Sequence, residues 1–85
     1  MDLVAALESL GLAGEVALGG RWVTLEGARC RVYVVMTDRG NGYYGWCGVP
    51  GDRTVAAYTD ATTAILDGLR RAASIGTEHE HARAR

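Results

Sequence analysis

Metal-ligating side chains crowd closest in Glu78-His79-Glu80-His81. Carboxylate beside imidazole suits a zinc-like ion, but a structural zinc site takes four ligands at characteristic spacings and no third ligand is placed near this His pair. The stretch reads as solvated tail, and no metal or other cofactor is expected. Cys30 and Cys47 are the candidate nucleophiles. A reactive thiol needs a histidine or cationic neighbour, and the only histidines are in the tail. Gly40-Asn41-Gly42 and Gly45 resemble fragments of a phosphate loop. Such loops open a helix after a strand, whereas these glycines fall between two strand-like segments, where turn chemistry accounts for them. Asp38 and Asp52 flank the same region with nothing to place them across a cleft. A sheet-and-helix domain this small also rarely encloses a ligand pocket on the order of several hundred Å3. The reading is a protein that is not an enzyme.

A different chemistry emerges when Trp22–Glu26, Arg29–Met36 and Tyr43–Cys47 are paired as strands. Alternation places Val23, Leu25, Cys30, Val32, Val34, Met36 and Cys47 on one face, which reads as core. The other face collects Trp22, Thr24, Glu26, Arg29, Arg31, Tyr33, Val35, Tyr44 and Trp46. Trp, Tyr and Arg are the residue types enriched at protein hot spots, and open aromatic sheet faces also stack bases of single-stranded nucleic acid. The candidate binding residues are Trp22, Arg29, Arg31, Tyr33, Tyr44 and Trp46. Their occupant is a protein partner, a second copy of the chain, or the N-terminal helix folded across them.

Composition sorts these readings. The chain has 85 residues, a formal net charge of −1 and no lysine among its nine basic residues. It is long enough for one domain with a single core. The charge offers no global field to draw in nucleic acid, so that reading ranks below protein binding. No run of 18 apolar residues exists to span a membrane, and Met1-Asp2-Leu3 lacks a basic start, so the expected location is the cytoplasm.

The elements that would hold the two faces follow from local signals. Asp2 caps a short helix with Leu3, Val4, Leu7 and Leu10 as its stripe and Gly11 at its end. Glu15-Val16-Ala17-Leu18 is a short strand or an extended connector, broken by Gly19-Gly20. A turn at Gly27-Ala28 pairs Glu26 with Arg29 and Trp22 with Tyr33. Asn41-Gly42 predicts a two-residue type I′ turn, with Gly40-Asn41 giving the same faces. The Asn41-Gly42 turn sets Met36 opposite Cys47 and Cys30 roughly 20 Å further along its strand. That is too far for a disulfide, so two reduced thiols are expected. Thr54–Tyr58 is a fourth, edge strand. Thr59 or Asp60 caps a helix with Ala61, Ala64, Ile65, Leu69 and Ala72 on one side, Gly68 among them, and an Asp67–Arg71 pair outside. The expected fold is two-layer α+β, an antiparallel sheet of three to four strands with helices before and after it. It is a single domain over residues 1–75 with a disordered tail over 76–85.

From Arg31 to Ala72 the chain resembles the N-terminal domain of HicB-type antitoxins. The residues that carry the resemblance are Val32-Tyr33-Val34-Val35, Gly42-Tyr43-Tyr44, Val49-Pro50-Gly51, Thr59-Asp60 and Ala64. In that family the domain binds and masks a small ribonuclease toxin, and a separate C-terminal segment binds operator DNA. The resemblance covers about half of this chain. It leaves out the preceding helix and strand, and no counterpart of the DNA-binding segment follows. What it implies is a regulatory protein-binding module, with toxin binding carried over and operator binding not.

Overall fold

A computed structural model describes residues 2–75. The elements in chain order are α1 (Leu3–Leu10), β1 (Glu15–Ala17), a 3-10 turn (Leu18–Gly20), β2 (Trp22–Glu26), β3 (Arg31–Met36), β4 (Tyr43–Cys47), β5 (Ala56–Tyr58) and α2 (Ala61–Ser74). The expectations for the tail and its histidines lie outside the described residues.

Both helices start as their sequences dictate. Asp2 accepts a hydrogen bond from the Ala5 N–H at 2.8 Å, and Gly11 ends α1 in the left-handed region at φ 67°. Asp60, rather than Thr59, caps α2. Its carboxylate accepts from the Thr63 N–H and hydroxyl, each at 2.9 Å. The Thr63 N–H bond holds the Asp60 carboxyl below the usual carboxylate range.

The sheet is an antiparallel meander, β1-β2-β3-β4-β5, so consecutive segments are neighbours throughout. It has five strands where three to four were expected. The ambiguous segment at Glu15 pairs with β2, and the last strand covers only Ala56–Tyr58. Both helices pack on the aliphatic face. Leu3, Ala6 and Leu7 of α1 and Ala61, Ala64, Ile65 and Ala72 of α2 form one cluster with Val23, Leu25, Val32, Val34, Tyr43 and Cys47. Gly68 sets the distance between layers, because a Cβ there would stand 2.6 Å from Val32 Cγ1.

The strand registers differ from expectation, and each difference has a local cause. Glu26 pairs with Arg31, not Arg29, because Gly27 N–H bonds to the Cys30 carbonyl at 2.9 Å and closes a four-residue connection over 27–30. A Cβ on Gly27 would lie 2.7 Å from the Ala72 Cβ, so only glycine lets this connection pass beneath α2. In the next hairpin Met36 pairs with Tyr43. The chain turns at Thr37–Gly40, where Gly40 N–H meets the Thr37 carbonyl at 2.9 Å and Gly40 adopts φ 70°. Asn41 is not left-handed, so no type I′ turn forms; its side-chain oxygen accepts instead from the Thr37 hydroxyl at 2.9 Å. Both shifts are by an even number of residues, so every side chain that stays in a strand keeps its face.

One further expectation falls with the register. Val32, not Met36, lies opposite Cys47, which makes Cys30 a near neighbour of Cys47 instead of a distant one. Both thiols are free, but the distance that was to keep them apart is gone. On α2, Asp67 binds Arg70 at 2.8 Å rather than Arg71, and it also accepts from the Tyr58 hydroxyl.

Candidate binding face

The outer side of the sheet is built by alternation in the three long strands. Directly opposed residues form rows across it: Trp22, Val35, Tyr44 and Ala57; then Thr24, Tyr33 and Trp46; then Glu26 and Arg31. The edge strand β1 extends the face with Glu15 beside Thr24 and Ala17 beside Trp22. With both helices on the opposite side, no described element covers these rows.

Three rings gather at the centre. Tyr33 stacks on Trp46 with centroids 5.6 Å apart at 22°. Trp22 meets Trp46 edge-on at 5.3 Å and tilts against Tyr33 at 6.1 Å, geometries that suit the aromatic quadrupole. Trp22 and Tyr33 are diagonal neighbours here, not the directly opposed pair expected. The Trp22 indole N–H donates to the Thr24 hydroxyl at 3.1 Å, so its polar edge is satisfied within the face. Tyr33 also covers Gly48, where an added Cβ would come within 2.9 Å of the ring. These contacts leave the three rings half-buried.

Arg31 borders the cluster and bonds to Glu26 at 3.1 Å. Glu26 holds its guanidinium above the usual arginine range, with Tyr33 and Glu15 adding to the effect. The pair lies in solvent and contributes little to stability. Its consequence is a local charge balance, with Glu15 and Glu26 offsetting Arg31.

The structure brings together four of the residues expected to bind: Trp22, Arg31, Tyr33 and Trp46. Tyr44 shares the face and the row of Trp22, but Val35 stands between the two and Tyr44 is 46% exposed. It lines a hollow of about 390 Å3 with Val35, Asp38, Arg39 and Asn41. Arg29 leaves the face, because the longer connection puts it in the exposed 27–30 loop. Glu15 is the residue the sequence reading missed. With Thr24, Glu26 and Gly14 it lines a second hollow of about 400 Å3 at the opposite end of the face. Its strand, Glu15–Ala17, is three residues long and exposed throughout, too short for alternation to mark.

Among the described residues no group of three His, Cys, Asp or Glu side chains converges to hold a metal ion. No helix among them is long and apolar enough to cross a membrane. No family model matches this chain, and no curated protein or solved structure matches it either.

Proposed function

We propose that this chain is a non-enzymatic protein-binding module of regulatory type, working in the cytoplasm through the outer face of its sheet. The observation that supports this reading is the Trp22–Tyr33–Trp46 cluster on the one broad side of the sheet that neither helix covers. The rings supply apolar area at low conformational cost, and Arg31 supplies directional bonds at its border. Tyr44 and the two flanking hollows give a partner relief to fit against.

Nucleic-acid binding on the same face is the second reading, and the charge pattern ranks it lower. Phosphate tracking needs several unpaired basic groups, whereas Arg31 is bonded to Glu26 and faced by Glu15. Tyr33 and Trp46 each have one ring face occupied by the other, which removes area that would stack bases. The resemblance of residues 31–72 to HicB-type antitoxins points to a small ribonuclease as the class of partner.

The test is recovery of bound macromolecules on the tagged chain from its native host. Trp46→Ala and Arg31→Ala should each lose the bound protein while retaining the far-UV spectrum. Retention by both folded variants, or loss of the bound species to nuclease treatment, counts against the proposal.

A further inference from the structure

Cys30 and Cys47 are nucleophilic side chains on the inner face that the binding reading does not use. The register sets Cys47 opposite Val32, so Cys30, two residues before Val32 and just outside β3, is its diagonal neighbour. Gly48 N–H bonds to the Arg31 carbonyl at 2.9 Å, which makes Val32–Cys47 the closely spaced kind of antiparallel pair. The same diagonal sense on the outer face brings the Trp22 and Tyr33 rings within 6.1 Å. Diagonal Cα atoms lie roughly 7–8 Å apart, just past the disulfide limit of about 6.8 Å. Cys30 belongs to the 27–30 bend rather than to a strand, and forming the bond requires that loop to move by the remainder.

The two thiols differ in access. Cys30 is half-buried, while Cys47 is only 5% exposed and its Sγ points at the Gly68 carbonyl at 3.8 Å. Burial, then the neighbouring Cys30, pushes the Cys47 thiol up, with Arg71 acting in the opposite direction. Accessibility therefore selects Cys30 as the thiol that meets a reagent first.

We propose that Cys30 and Cys47 form an oxidation site, which a low-molecular-weight disulfide of the glutathione type closes to an intramolecular disulfide. The Cys30 thiolate attacks one sulfur of the reagent, forming a mixed disulfide and releasing one reduced thiol. Cys47 gives up its proton and attacks Cys30 Sγ. The mixed bond breaks, and the second reagent thiolate leaves and takes up a proton. Two cysteine thiols are oxidised and one reagent disulfide is reduced. The new bond ties the 27–30 loop to the end of β4 beneath α2, next in the chain to Arg31 and Trp46.

The experiment exposes the folded wild-type chain to oxidised glutathione, quenches with acid, alkylates, and reads intact and peptide masses. The expected product is a monomer lighter by two hydrogens, without alkylation, carrying a Cys30–Cys47 linked peptide pair. Cys47→Ser should instead accumulate the glutathione adduct on Cys30. The proposal is overturned if folded wild type keeps two alkylatable thiols under conditions that oxidise the chain in denaturant. A lasting glutathione adduct on wild-type Cys30 overturns it equally.

Discussion

Tyr33 and Trp46 stand directly opposite each other on β3 and β4, and their rings stack at 22° with centroids 5.6 Å apart. The pair joins the two central strands on the side away from the helices, so it belongs both to the sheet and to the surface offered for binding. A double-mutant cycle with Tyr33→Ala and Trp46→Ala should give a coupling energy of about 0.5–1.5 kcal/mol in urea unfolding. Additive losses would mean the rings act independently.

The contact between layers predicts an unusual helix substitution. Alanine normally stabilises a helix over glycine by about 1 kcal/mol. At Gly68 the new methyl would meet Val32 Cγ1 at 2.6 Å, and Val32 is fully buried. Gly68→Ala should therefore destabilise by about 1–3 kcal/mol, the range for overpacking a tight core. Unchanged stability in denaturant unfolding would show that α2 can lift from the sheet at no cost.

Leu18 carries the opposite kind of misfit. It is a non-glycine residue at φ 54°, and its side chain is 69% exposed. Left-handed backbone costs an L-residue about 1–2 kcal/mol, and asparagine tolerates it better. Leu18→Asn should be neutral or raise stability by up to ~1 kcal/mol in thermal melts. A loss of that size would mean the exposed leucine makes a contact that outweighs its strain.

The Tyr58–Asp67 hydrogen bond sets a pH window. Asp67 is held below the usual carboxylate range by the Tyr58 hydroxyl and then by Arg70, so its contribution is complete above the unfolded value and is lost as pH falls through the folded one. Tyr58 is pushed up by burial and then by Asp67, so its contribution is complete below its unfolded value and is lost as pH rises through the folded one. The bond should stabilise the fold between about pH 4 and pH 10. Tyr58→Phe should lower stability at pH 7 and flatten the pH profile at both ends of that window. A variant curve parallel to wild type would contradict the assignment.

The sequence disclosed the faces more securely than the pairings. Val23, Val32 and Val34 are buried and Tyr33 and Trp46 lie outside, as alternation alone required. Any register shift by an even number of residues preserves that division. What alternation cannot supply is the length of a turn. Gly27–Cys30 closes over four residues because α2 presses on Gly27, and the second hairpin turns at Gly40 instead of Asn41. Those two turn geometries moved Arg29 off the face and brought Cys30 beside Cys47. The position of α1 was equally hidden, since a stripe of Leu3, Val4, Leu7 and Leu10 would fit either side of the sheet; in the structure Leu3, Ala6 and Leu7 are buried on the inner one.

The central claim is that the outer face binds a protein, and site-specific photo-cross-linking in the native host tests it most directly. A benzophenone amino acid would replace Tyr44, exposed on that face, and in a control chain Leu66, 49% exposed on the outside of α2. The account predicts a discrete protein adduct from position 44 that disappears with Trp46→Ala and has no counterpart at position 66. No adduct at position 44, the same adduct from both positions, or an adduct removed by nuclease would contradict it.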